Sequence, residues 1–146
     1  MKKILTIIYL SILFPVSVTF NVDMQEQILS ENGVHLTGSD ADTEAYFGSV
    51  DGLEISPWMP EEIIMLDEDF DGVYSVTVEF APNTSYIYKF TNGLEYELQD
   101  GTDRTLDTTD EDIVLDTACF NKSDESCKDI DNSLVDKIFI GDAPAL

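Results

Sequence analysis

Positive charge is the scarcest property of this 146-residue chain: seven Lys and Arg stand against thirty Asp and Glu, for a formal net charge of −23. So acidic a surface repels nucleic acid and anionic membrane headgroups and favours cations, which excludes nucleic acid as a partner. Histidine occurs once, at His35, and cysteine twice, at Cys119 and Cys127. That is too little imidazole and thiolate for a zinc site. No serine or cysteine stands in a nucleophile motif, and no glycine-rich phosphate loop is present. Paired carboxylates can hydrolyse glycosides, but in a chain this acidic such pairs carry no information. The chain is therefore read as non-catalytic.

Long apolar runs are also missing, except at the start. Met1-Lys2-Lys3 precedes thirteen residues, Ile4 to Val16, interrupted only by Thr6, Ser11 and Pro15. Such a run is too short to cross a bilayer as a helix, so no membrane insertion is expected, and a basic start followed by an apolar core has the form of a secretory signal peptide. A buried strand is the alternative. The reading places a signal peptide at 1–17, with cleavage near Ser17 or Thr19, a β domain at 18–120, and an acidic tail with a candidate edge strand at 121–146. A secreted or cell-surface location follows.

What is present is strand periodicity. Gly72 to Asn92 carries Tyr74, Val76, Val78 and Phe80 at period two, then Ala81-Pro82-Asn83-Thr84, then Tyr86, Tyr88 and Phe90 at period two. Two aromatic and β-branched strands joined at a turn, read as a hairpin, would anchor a core. Val18, Phe20, Val22 and Met24 alternate in the same way, and so do Val34 and Leu36, with His35 facing solvent. Ser39 to Pro60 is irregular. Glu61–Leu66, Leu94–Leu98, Arg104–Leu106 and Ile113–Phe120 complete the series. Many short strands at turn-punctuated spacing with no amphipathic helix predict an all-β antiparallel sandwich of seven to eight strands.

The segments VTFNVDM, NGVHLTGS, LDEDFDGVYSVTVEF, SYIYKFTNG, DRTL and ACF, in that order, resemble the starch-binding-like immunoglobulin-type domains of proteins secreted by bacteria that use type IX secretion. The resemblance spans roughly Val18 to Cys127. More distantly the chain is similar to the family-20 carbohydrate-binding modules. Gly38-Ser39 matches their glycine-serine, Trp58 their first tryptophan, and Tyr88-Lys89-Phe90 their YKF strand. Tyr96 stands where they carry a second tryptophan, and Asp103-Arg104 replaces an asparagine-arginine pair. The resemblance implies an immunoglobulin-like sandwich that binds a polysaccharide or other glycan.

Trp58 and Tyr96 are the candidate stacking rings, because an aromatic face accepts the C–H side of a pyranose. Lys89, facing outward, and Arg104 are the candidate hydrogen-bond donors to hydroxyls. Asp67-Glu68-Asp69-Phe70-Asp71-Gly72 has the D-x-D-x-D-G form of a calcium loop, although the twelfth position is Val78 rather than the glutamate an EF-hand needs. Either calcium at Asp67, Asp69 and Asp71 or an ordinary acidic turn fits. In an exported chain Cys119 and Cys127 are expected to pair as a disulfide. The expected function is a monomeric, non-catalytic carbohydrate-binding module; the alternative is a structural or adhesive surface domain that keeps the sandwich without a sugar site.

Overall fold

The computed structural model describes residues 14–122. Strict alternation makes β1 (Val16–Asp23), in which Val16, Val18, Phe20 and Val22 are buried and the residues between them half-buried. This strand begins two residues before the expected Val18, because Val16 pairs with Phe80 and is itself core. β2 (Val34–Asp40) follows, then β3 (Ser49–Val50), β4 (Leu53–Glu54), a 3₁₀ turn at Pro60–Glu62 and β5 (Ile64–Met65). The long strands β6 (Val73–Phe80) and β7 (Ser85–Asn92) come next, then β8 (Glu95–Tyr96), β9 (Arg104–Asp107), β10 (Ile113–Val114) and β11 (Ala118–Cys119). The strands are more numerous than the seven or eight expected, because the stretch read as one strand from Ile113 to Phe120 divides in two and the stretch read as irregular contributes β3 and β4. No α-helix occurs among the described residues.

The strands form two sheets of a sandwich. In the first the order is β10-β1-β6-β3-β4, with β11 also against β1; in the second it is β5-β2-β7-β8, with β9 also against β7. β6 and β7 therefore do not pair with each other, and the expected hairpin is corrected to a crossing between sheets. The reason lies in their apolar faces. Phe80 on β6 and Tyr86 on β7 pack ring against ring at 4.6 Å, across the sandwich rather than along one sheet. Asn83, at φ +54°, bends the chain, and the Ala81 N–H donates to the Tyr86 hydroxyl at 3.3 Å.

Six aromatic rings make the centre of the core. Phe20 meets Tyr88 edge-on at 5.0 Å, and Phe47 meets Phe80 edge-on at 5.2 Å. Such pairs contribute about 0.5–1.5 kcal/mol each beyond the area they bury. Phe47 arrives from the irregular stretch and fits only because residue 38 is glycine. A Cβ there would collide with the Phe47 ring and the Ile87 carbonyl.

Candidate functional site

Register fixes what the second sheet shows on its outer face. Along β2 the core-facing residues are Val34, Leu36 and Gly38, so His35, Thr37 and Ser39 face outward. Their partners on β7 are Thr91, Lys89 and Ile87, and Tyr96 of β8 sits beside Thr91. Trp58 reaches this face from the segment between β4 and β5. Its N–H donates to the Gly38 carbonyl at 2.9 Å, and its own carbonyl accepts from the Tyr96 hydroxyl at 3.1 Å. Tyr96 lies two strands from β2, so its ring must lean across β7 to make that bond. Burial pushes its hydroxyl pKa upward, keeping it a donor. Trp58 holds φ +57°, a left-handed backbone that a bulky residue adopts only when its surroundings enforce it. Trp58 and Tyr96 are both half-buried, and Met59 beside them is exposed.

The two cations are placed differently from the aromatic pair. Lys89 shares the outer face but is buried rather than solvent-facing. Its ammonium donates to the Leu98 carbonyl at 2.9 Å and to the Glu97 carbonyl at 3.4 Å, and pairs with Asp103 at 3.5 Å. Arg104 pairs in register with Tyr88, a core residue, and its guanidinium lies 5.4 Å from the centre of the Phe90 ring. Nε and Nη2 grip the Glu97 carboxylate at 2.7 and 2.8 Å. Nη2 also donates to the carbonyls of Cys119 at 2.9 Å and Lys122 at 3.0 Å. Burial works to lower the Arg104 pKa, but the hydrogen bond and charge of Glu97 outweigh it and the pKa rises. Beside Lys89, a hollow of about 280 Å³ is lined by Tyr88, Leu98, Thr102, Asp103, Arg104 and Thr105.

His35 departs from the solvent-facing position expected of it. It is 6% exposed, covered from outside its own strand, and burial depresses its pKa, opposed by a hydrogen bond to the Gly93 backbone and by the charge of Glu61. Thr37 and Ser39 are buried with it. Alternation in VHLTGSD puts all three on the outer face, but that this face is itself buried left no local signal. The Glu97–Arg104 pair left none either.

The turn before β6 brings Asp67, Asp69 and Asp71 together, with one carboxylate oxygen of each within 4.8 Å of the others. Asp67 is partly satisfied by the N–H groups of Asp71 at 3.1 Å and Gly72 at 3.0 Å. Cys119 is buried on β11; Cys127 lies outside the described residues, as do the first thirteen residues of the expected signal peptide and all but Asn121 and Lys122 of the expected tail.

No protein-family model and no curated protein sequence matches the chain. Among solved structures it is similar to the glucoamylase of Hormoconis resinae, with a TM-score of 0.51 and 13% identity over 77% of this chain. The match takes in 18% of the glucoamylase, so this chain spans less than a fifth of that protein's length. At that identity the likeness is one of fold.

Proposed function

We propose that the protein is a non-catalytic carbohydrate-binding module whose site is the outer face of the second sheet. The observation that carries this reading is the bond from the Tyr96 hydroxyl to the Trp58 backbone carbonyl at 3.1 Å, which brings two half-buried aromatic residues together. A flat apolar ring next to hydrogen-bonding groups is the arrangement that a pyranose requires. The likeness of fold to part of a glucoamylase supports the same ligand class. Asp103, whose side chain is half-exposed beside the buried Lys89, offers the polar edge. Arg104 acts through Glu97 and the last strand rather than on ligand. The protein works as an exported monomer, with Cys119 and Cys127 paired.

A shallow platform leaves much of a glycan in water, so the dissociation constant falls on the order of 10 μM to 1 mM. The test is retention on an α-glucan column, followed by a glycan array. Trp58→Ala should abolish retention and leave the circular dichroism spectrum unchanged, since the bond from Tyr96 is to the Trp58 backbone and survives the substitution. Wild-type protein that binds no glycan would leave the structural or adhesive reading, which the engagement of both Lys89 and Arg104 within the protein favours.

A further inference from the structure

Among the described residues the Lys and Arg side chains are Lys89, Arg104 and Lys122, and each already faces a carboxylate of the protein: Asp103 at 3.5 Å, Glu97 at 2.7 Å and Glu26 at 3.3 Å. Two of them stand at the candidate site. Lys89 is 8% exposed, and its three donors are matched by the carbonyls of Leu98 and Glu97 and by Asp103 Oδ1. Arg104 is turned to Glu97 and to the Cys119 carbonyl. A carboxylate or sulfate on a glycan would therefore meet no unpaired cation here, and the surrounding acidic surface would repel it.

What the site does present is negative. The Asp103 side chain is 34% exposed and turns Oδ1 to Lys89, which leaves Oδ2 as an acceptor. Asp103 lines the hollow of about 280 Å³ together with Thr102, Thr105 and Leu98, and exposed Asp100 accepts from the Thr102 N–H at 3.0 Å in the same loop. The volume lies at the small end of ligand sites and suits one sugar residue. Leu98 follows Tyr96 by two residues, so the hollow's wall and the aromatic pair are at most about 7 Å apart along the chain. The Gln99 side-chain amide, donating to the Tyr96 carbonyl at 3.2 Å, ties the two together.

We propose that the site selects glycans by charge: it prefers sugars that carry an ammonium group, such as glucosamine units, over neutral ones and rejects uronic and sulfated ones, and Asp103 is the residue that receives the ammonium. This rests on the carbohydrate reading above and narrows its ligand class. An ammonium donates charged hydrogen bonds to a carboxylate and is also attracted to an aromatic face, so the hollow and the aromatic pair act on it together. A hydroxyl in the same place gains the weaker neutral hydrogen bond alone. Acidic residues are common throughout this chain; the distinguishing feature is a half-exposed carboxylate in a hollow beside two aromatic residues, with both neighbouring cations engaged inside the protein.

The chain holds one tryptophan, so intrinsic fluorescence reports on Trp58 alone and gives titrations with a glucosamine hexamer and with its N-acetylated form, in which the amines are blocked. Salt near 0.15 M screens charges beyond about 8 Å and so suppresses the general field of the molecule. Wild type should bind the amine form roughly 3- to 10-fold tighter. Asp103→Asn should erase that preference while the acetylated hexamer binds within about 2-fold of wild type. Asp51→Asn, in the turn between β3 and β4 of the other sheet, removes the same charge and should keep the preference. Circular dichroism checks folding; if Asp103→Asn does not fold, Asp100→Asn is read in its place. If Asp103→Asn keeps the preference, or Asp51→Asn loses it equally, the attraction belongs to the whole acidic surface and the charge selection is wrong, while the carbohydrate reading stands as long as Trp58→Ala loses the acetylated hexamer. If wild type responds neither to either hexamer nor to any sugar on a glycan array, the carbohydrate reading itself fails and the selection with it.

Discussion

Replacing Arg104 by alanine should damage the fold far more than the binding face. Glu97 has a side chain with 0% exposure, and its four hydrogen bonds come from Arg104 Nε and Nη2 and from the N–H groups of Phe90 at 3.0 Å and Asn121 at 3.2 Å. Arg104→Ala removes both charged donors and leaves a carboxylate in the core with two neutral amides. Breaking one side of a buried pair costs about 3–5 kcal/mol, because the remaining charge stays desolvated. The loss also frees the carbonyls of Cys119 and Lys122, which Arg104 ties to the sheet. At roughly 4 °C per kcal/mol for a domain of this size, the melting temperature should fall by roughly 10–20 °C. Thermal unfolding followed by circular dichroism measures it. The double variant Glu97→Leu with Arg104→Met should regain most of the loss, since it removes both charges together. A single variant that melts within about 3 °C of wild type would refute the reasoning, and so would a double variant no more stable than the single one.

Gly38→Ala should cost at least about 2 kcal/mol, since the new Cβ meets the Phe47 ring and the Ile87 carbonyl; denaturant unfolding with an unchanged midpoint would show that Phe47 can move aside. Burial lowers the His35 pKa, so the unfolded chain takes up the proton first and the contribution of His35 to stability, complete above about pH 6.5, declines as pH falls through the lowered folded value. His35→Gln should flatten that part of the stability profile, and identical profiles for variant and wild type would dismiss the effect. If Asp67, Asp69 and Asp71 hold calcium, the melting temperature should rise with calcium and return with chelator, and Asp69→Ala should remove the response. Mass spectrometry of exported protein should find an N-terminus upstream of Val16, because cleavage beyond it would strip a core residue from β1, and should find Cys119 and Cys127 oxidised; an N-terminus at Phe20 in folded material would contradict the role given to Val16.

Periodicity in the sequence carried the strands and their inward faces. β1, β6 and β7 lie where alternation puts them, and Val78, Phe80, Tyr86, Tyr88 and Phe90 are core. Pairing was less legible. A four-residue connection between two aromatic strands fits a hairpin and a crossing between sheets equally well, and only the choice of neighbours, β1 for β6 and β2 for β7, separates them. Trp58 and Tyr96 were legible as a pair through resemblance, although nothing local indicated that a hydroxyl would join them. Lys89 read as outward by parity, and parity held, but whether an outward residue is wet depends on what folds over it. The same limit hid the burial of His35 and the inward turn of Arg104.

β10 and β11 both run parallel to β1, with Val18 beside Ile113 and Asp23 beside Cys119. The chain therefore enters this sheet at one end of an eight-residue strand and leaves it at the other, about 23 Å away. Tension applied along the backbone at Val16 and Phe120 would drag β1 lengthwise past β10 and β11. The bonds from Leu115 to Thr19 and from Phe120 to Asp23 would then be loaded together in shear, where a terminal antiparallel pair would open one bond at a time. A domain strung this way resists pulling until the whole strip gives at once, and its lifetime under load is set by the rate of that single event.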